Sequence, residues 1–312
     1  MSEAAAPAVP VEGRRRERGY WGEAFQGLLH DWAAMVGLVI VLALVICALF
    51  APLLAPYDPN FQHRLGLSET GEPLGPGSDF KLGTDALGRD ELSRLLYGAR
   101  ISLAVGIGAS VLAAIIGILV GGVAGMAGSR VQTLLMRAVD VVLSFPILLL
   151  AIALLAVTEP SLTTILLIIG VSFGAYLARI VFNQVVSLKE REFVLAARTA
   201  GVRSGWVLCR HIVPHVMPSV IVYGTLSVAT AILLEAALSY VGIGIQPPDA
   251  SWGNMVSEGQ TYLISAPWLV AMPGGAIVLA MVGFSILGDG LRDALDPTLE
   301  RRGGRLLFGG VR

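Results

Sequence analysis

Charged side chains are scarce in this sequence of 312 residues. Asp, Glu, Lys and Arg make up 14% of it, whereas hydrophobic residues make up 55%. A water-soluble chain carries about a quarter charged residues, so this composition excludes an ordinary soluble domain. Lysine occurs only as Lys81 and Lys189, and neither follows a glycine. The chain therefore lacks the G-x-x-x-x-G-K-[ST] phosphate-binding loop, and we expect it to hydrolyse no ATP and to bind no cofactor of its own.

Cysteine and histidine are equally scarce. Cys47 and Cys209 are the only cysteines, too few for a disulfide framework, and we interpret them as inert thiols. His211 and His215 are four residues apart, but Pro214 should interrupt the helix needed to aim both at one ion, so we predict no metal site. The formal net charge of −1 gives no reason to expect nucleic-acid binding.

Long apolar runs are what the sequence has instead. A bilayer core requires about 20 apolar residues in a helix, and six runs qualify. The first run begins only after some 30 residues and is longer than the apolar region of a signal peptide, so we expect it to be retained. The composition predicts an all-α integral membrane protein with six spans, at 32–55, 101–127, 134–157, 162–186, 218–243 and 266–287.

The distribution of basic residues predicts the orientation of these spans. With both termini in the cytosol, 17 of the 22 Lys and Arg residues fall inside and five fall outside, as the positive-inside rule requires. The predicted organisation is a cytosolic tail with a possible interfacial helix (1–31), a first transmembrane helix (32–55), an extracytoplasmic loop (56–100), a five-helix core (101–288) with a cytosolic loop at 187–217, and a cytosolic C-terminal tail (289–312).

The segment EFVLAARTAGVRSGWVLCRHIVPHV, residues 192–216, is unlike its surroundings and is called the insert below. It is basic and rich in small residues, yet it lies between two predicted spans. Phe193, Ala197 and Ala200 recur at helical spacing, which predicts a short helix with a small-residue face. Gly201 should then begin a turn. A compact pair of short helices is predicted here rather than a flexible connector.

The second half of the insert has its own helix signals. Ser204 can cap a second short helix, and Pro214 is expected to end it because the residue before a proline avoids helical geometry. Pro218 suits the first turn of the fifth span. Residues 206–208, Trp-Val-Leu, should be exposed together, which favours a protein partner on the cytosolic side over a merely solvated basic loop.

The insert resembles the EAA loop of the inner-membrane permease subunits of ATP-binding-cassette importers. That pattern is Glu-Ala-Ala, three residues, Gly, nine residues, then Ile-x-Leu-Pro. The spacing from glycine to proline is kept, and the matching residues are Ala196, Ala197, Gly201 and Pro214. The departures are Leu195 for the glutamate, His211 for the isoleucine and Val213 for the leucine.

Further stretches are similar to the dipeptide/oligopeptide branch of these permeases, specifically its second, C-type subunit. They are LGTDALGRDELSRLLYGARISL (82–103), LLEAALSYVGIGIQPPDASWGNM (233–255), DGLRDALDPTL (289–299) and the opening span with ALFAPLLAPYDPN after it. The resemblance covers about residues 28–300.

This resemblance implies a transport subunit that is not itself an enzyme. It would pair with a second homologous permease around one path, above two cytosolic ATPase subunits that hold ATP and Mg²⁺, and receive substrate from an extracytoplasmic binding protein. The branch handles dipeptides, longer peptides, glutathione and nickel chelates, and the choice among them stays open. The resemblance assigns coupling to the ATPase to Ala196, Ala197, Arg198, Gly201, Val202 and Pro214.

Ionisable residues within predicted spans are candidates for the substrate route. Glu235 lies inside the fifth span with Ser239 one turn on, and the pair either lines the route or is a structural hydrogen-bonded group. Arg137 and Asp140 are three residues apart on a predicted helix and are expected to pair with each other. Arg179 is expected to extend its charged end to the membrane surface.

The outer loop contributes another candidate set, for which two interpretations remain. Asp85, Arg89 and Asp90 could contact the binding protein, or belong to a helix that packs on the permease.

Two other classes of function are weighed. A proton-coupled secondary transporter would use Glu235 or Asp140, but it predicts an inverted repeat that the sequence does not have. Residues 170–174, GVSFG, match the G-x-S-x-G pattern of hydrolases but lie in a predicted span rather than at a strand-to-helix turn, which excludes that class.

Overall fold

The computed structural model describes residues 20–295, so parts of the predicted tails, residues 1–19 of 1–31 and 296–312 of 289–312, lie outside the described residues. Helices dominate the described part. Their bounds are α1 Tyr20–His30, α2 Trp32–Leu49, α3 Ala51–Leu54, α4 Glu91–Ile116, α5 Gly122–Met126, α6 Ser129–Leu143, α7 Ile147–Leu155, α8 Leu162–Leu188, α9 Glu192–Thr199, α10 Ser204–Val207, α11 Val213–Tyr240, α12 Trp252–Gly259 and α13 Trp268–Leu295.

Five helical segments are long and apolar enough to cross a membrane: Trp32–Leu49, Glu91–Met126, Leu162–Leu188, Ser204–Tyr240 and Trp268–Leu295. The second of them begins ten residues before the predicted start of its span. Its N-terminus is fixed by Asp90, whose carboxylate accepts a hydrogen bond from the Ser93 backbone N–H and so caps the helix. The helix therefore starts in the polar part of the chain.

The third predicted span is two helices and not one. α6 and α7 are bent by 83° relative to each other, and only together do they supply a sixth span. The break lies at Ser144–Pro146, where Pro146 has extended backbone geometry (φ −58°, ψ 127°) ahead of α7. The residue before a proline also avoids helical geometry, which explains why α6 ends here.

The insert forms the two predicted short helices, α9 and α10, but it does not end at Pro214. One wide π-helical turn, Leu208–Ile212, joins α10 directly to α11. Pro214 lies in the first turn of α11, just after this turn, where the regular pattern of backbone hydrogen bonds is already interrupted. The predicted stop at Pro214 is thus wrong. Ser204 is also the first residue of α10 and not its cap, a position that Arg203 occupies.

A long helix made of α4, a π-helical turn and α5 lies at the centre of the bundle and packs on α8, α11 and α2. It contacts α8 through Gly117, Gly121 and Gly125. A Cβ atom at Gly121 would lie 3.0 Å from both the Phe182 backbone nitrogen and the Val181 Cβ. The glycines therefore let the two backbones approach closely, as small residues do in membrane helix pairs.

The bundle has two different ends. At the first, which we call the loop end, the segment 56–90 meets the start of α4: the Glu91 N–H donates to the Gly83 carbonyl, and the Tyr57 N–H donates to the Ser93 hydroxyl. Helix α12 packs there between α4, α11 and α13. At the other, the insert packs on α8. Val207 and Ile212 are fully buried there against Val181 and Val185. The prediction that residues 206–208 are exposed together is therefore wrong for Val207, whereas Trp206 is 53% exposed.

Candidate functional site

The turn of the insert is a Schellman motif at the end of α9. Gly201 adopts φ +79°, a conformation that only glycine takes readily. Its N–H donates to the Arg198 carbonyl at 2.9 Å, and the Val202 N–H donates to the Ala197 carbonyl at 3.1 Å. Two carbonyls at the helix end are satisfied in this way, so the turn is rigid.

The same motif divides the predicted coupling residues into two groups. Ala197 and Val202 are partly buried against the core formed with α8, and so they anchor the turn. The others are exposed and available to a partner: Ala196, Arg198, Gly201 and Pro214.

Ring contacts tie α9 to α11 and α10 to the π-helical turn that follows it. Phe193 stacks on His215 with ring centroids 5.2 Å apart, and Trp206 contacts His211 edge-on at the same distance. The Lys189 ammonium also donates to the Gly125 carbonyl at 3.3 Å. The insert is therefore joined to α11, and the C-terminal end of α8 just before the insert is joined to α5.

Glu235 is fully buried and does not line an open route in this structure. Its carboxylate accepts hydrogen bonds from the hydroxyls of Ser102 at 3.0 Å and Ser239 at 2.7 Å. These hydroxyls in turn accept from the backbone N–H groups of Trp252 at 3.3 Å and Ile245 at 3.1 Å. The carboxylate thus joins α4, α11 and the segment that leads into α12. This agrees with the interpretation of Glu235 as a structural hydrogen-bonded group and not as part of the substrate route.

A pair of substitutions at Glu235 tests this role. Glu235→Leu leaves both serine hydroxyls without their acceptor and is expected to lower the free energy of unfolding by about 1–3 kcal/mol. Glu235→Gln keeps the shape and an acceptor oxygen, so it should be close to wild type. Thermal unfolding in detergent measures both variants. A fully folded Gln variant that has lost transport would instead show that the carboxyl group itself is needed.

An ion-pair network is buried at the loop end. Arg89 contacts Asp85 at 2.5 Å and Glu258 at 2.9 Å, and Arg94 contacts the same carboxylates at 3.3 Å and 3.0 Å. Both arginine side chains are at most 5% exposed. The network joins the outer loop and the start of α4 to α12.

This burial bears on the residues predicted to contact a binding protein. Asp85 and Arg89 belong to the network, and Asp90 caps α4 with 1% of its surface exposed. Their side chains offer almost no surface to another protein, which supports the alternative that this segment packs on the permease. Sequence reasoning missed Glu258, although it is an acid in an outer segment that has no Lys or Arg of its own.

The predicted pair of Arg137 with Asp140 is also wrong. Asp140 instead forms an ion pair with Arg179 of the neighbouring α8. The pairing crosses two helices that pack side by side, and helical spacing along one helix cannot predict it.

Comparison with known families identifies the fold. Residues 113–301 match the family model described as the inner membrane component of binding-protein-dependent transport systems. The chain belongs to this family. Residues 19–68 of the permease also match the N-terminal TM domain of oligopeptide transport permease C. The predicted resemblance and the all-helical, multi-pass membrane class are both confirmed.

Curated relatives cover nearly the whole permease. The dipeptide transport system permease protein DppC of Alkalihalophilus pseudofirmus is 41% identical over 93% of this chain and 94% of its own length. The oligopeptide transport system permease protein OppC of Bacillus subtilis is 40% identical over 96% of both chains. The di/tripeptide transport system permease protein DppC of Pseudomonas aeruginosa is 43% identical over 89% of this chain and 92% of its own.

A solved structure of the MetNI methionine ABC transporter shares the fold. Its matched chain has a TM-score of 0.53 and 17% identity, and the alignment covers 65% of the permease and 96% of that chain. The family match and the curated relatives together show that the protein is a membrane permease subunit that acts within a larger transport system.

Proposed function

We propose that this chain is the C-type permease subunit of an ATP-driven importer of dipeptides or longer peptides. The observation that carries the proposal is the insert: a rigid, exposed glycine turn at Gly201 followed, after only Val202 and Arg203, by the continuous helical segment Ser204–Tyr240. Such a joint can pass movement from a partner into a membrane span. The names of the three relatives above support peptides as the substrate class.

The complex would follow the arrangement expected from sequence. A second homologous permease would complete the translocation path, and two ATPase subunits holding ATP and Mg²⁺ would bind below the membrane. A binding protein would deliver peptide at the loop end. The charge distribution supports cytosolic termini, which would place the insert on the ATPase side.

The insert surface has the chemistry of a docking site. Exposed apolar side chains, Leu195 (48%) and Trp206 (53%), flank the small residues Ala196 and Gly201. Small residues permit close approach of a partner backbone, while the apolar side chains supply buried area on binding. Arg198 adds a cation at the rim.

Gly201→Asp provides the test, in proteoliposomes that contain the permease and the proteins of its genomic neighbours. No atom lies within 4 Å of the position of a Cβ at Gly201, so the fold has room for the side chain, at a strain of about 1–2 kcal/mol for the positive φ. We expect the variant to assemble but to lose peptide uptake and peptide-stimulated ATP hydrolysis, because a carboxylate then projects into the docking surface.

Gly128→Asp is the matched control. Gly128 also has open space around it and lies in extended geometry at the N-terminus of α6, where an aspartate is a favourable cap. This variant should retain uptake. If the purified chain alone moves substrate along a proton gradient with no ATPase present, the proposed function is wrong.

A further inference from the structure

A polar cleft opens between α6 and α8. Its volume is about 250 Å³, and its polar lining residues are Gln132, Thr133, Arg137, Asp140, Arg179 and Asn183. None of these residues belongs to the insert or to the Glu235 cluster. The side chains of Asp140 and Arg179, although paired, remain 41% and 43% exposed.

The depth of this cleft makes its polarity unusual. Helix α8 has 27 residues, so it is about 40 Å long and exceeds the roughly 30 Å hydrocarbon core by about 10 Å. Arg179 lies nine residues before the C-terminus of α8, or about 14 Å from that end. Even if the whole excess lies at the C-terminal end of an upright α8, the Arg179 Cα is about 4 Å inside the hydrocarbon layer. Charged side chains at such depth face protein or water and not lipid.

Both helices carry a polar stripe toward the cleft. On α6, Thr133, Arg137 and Asp140 lie four and then three residues apart, on one face of the helix. On α8, Arg179 and Asn183 are four residues apart. The exposed apolar residues of α6, namely Val131, Leu134 and Val141, lie on the adjoining face. Helix α6 thus separates a polar surface from an apolar one suited to lipid.

The cleft has an excess of positive charge. Asp140 is paired with Arg179, and within residues 20–295 Arg137 has no ion pair. An unpaired guanidinium attracts an anion and can bind a carboxylate through two parallel hydrogen bonds. A peptide carries one such group at its C-terminus.

We propose that this cleft lines the aqueous translocation route and that Arg137 binds the C-terminal carboxylate of a peptide in transit. The Asp140–Arg179 pair holds α6 against α8 and so positions Arg137. The carboxylate assignment rests on the proposed function, because it requires a peptide substrate. The assignment of the cleft to an aqueous route does not.

Cysteine labelling tests the aqueous route independently of transport. In a Cys47→Ala, Cys209→Ser background, Thr133→Cys and Asn183→Cys are introduced into the cleft, and Val141→Cys into the apolar face. With a charged methanethiosulfonate reagent and the assembled complex in liposomes, we expect the cleft positions to react at least about tenfold faster, since only a hydrated thiol ionises and reacts. Equally slow reaction at all three positions overturns the assignment.

Transport of paired substrates tests the carboxylate. Arg137→Gln is expected to lower uptake of a free peptide about tenfold, as the loss of a charge-assisted contact does, and to leave uptake of the C-terminally amidated peptide unchanged. Arg130→Gln, on the same helix but outside the cleft, should alter neither.

The outcomes separate the two proposals. Equal losses for both peptides overturn the role of Arg137. If the wild-type complex shows no ATP-driven peptide uptake, the proposed function fails and the carboxylate assignment fails with it, whereas the labelling contrast still decides whether the cleft is hydrated.

Discussion

Replacing Arg94 with methionine is expected to lower the free energy of unfolding by about 3–5 kcal/mol. The guanidinium is 1% exposed and contacts both Asp85 and Glu258. Its removal leaves Arg89 as the remaining cation of the network, with Glu91 also buried beside it. One guanidinium then faces the carboxylates of Asp85 and Glu258, which two guanidinium groups contact in the wild type. A largely buried negative charge left in excess is costly.

Thermal and denaturant unfolding in detergent measure this effect. Arg64→Met is the matched control, since it makes the same change at an exposed position of the same outer loop and should cost little. Equal unfolding temperatures and equal denaturant midpoints for the two variants would show that the network is unimportant for stability. The Arg94 variant should also loosen α12, which limited proteolysis of residues 241–267 would detect.

Gly121→Leu is expected to cost about 3 kcal/mol or more, at the upper end of the range for overpacked cores. Even the first carbon of the new side chain would meet the backbone of α8, including the Ala178 carbonyl oxygen, and a backbone cannot rotate away as a side chain can. The two central helices must separate, and that separation opens the interface along Gly117 and Gly125 as well.

A second glycine provides the comparison. Gly224, within α11, has no atom within 4 Å of its would-be Cβ, so Gly224→Leu adds a better helix former into open space. This variant should unfold at or above the wild-type temperature. Equal destabilisation by both changes would mean that the loss of glycine itself, and not close packing, is responsible.

The sequence predicts the fold well where the signal is local. Apolar runs locate the spans, and the small-residue pattern with Gly201 locates the helix–turn–helix of the insert. The proline rule explains the break at Pro146, although the predicted third span at 134–157 runs through it. The rule fails at Pro214, since a proline after a π-helical turn meets an already interrupted hydrogen-bond pattern. Local sequence does not report that turn.

Partners distant in sequence are what the sequence cannot predict. Glu258 contacts Arg94 and Arg89 across 164 and 169 residues. Asp140 likewise pairs with Arg179 of α8 and not with Arg137 on its own helix, because the packing of α6 on α8 decides the pairing. The sequence identifies Glu235 as a carboxylate within a span. Only the structure shows that the segment leading into α12 packs over it and buries it completely.

The union of α10, the π-helical turn and α11 has a mechanical consequence. These 37 residues form one rod about 55 Å long, with no loop between the insert and the loop end. A tilt of about 5° around its midpoint displaces each end by about 2 Å, in opposite directions. Any displacement of Trp206 by a partner therefore moves Tyr240, at the loop end, in the opposite direction.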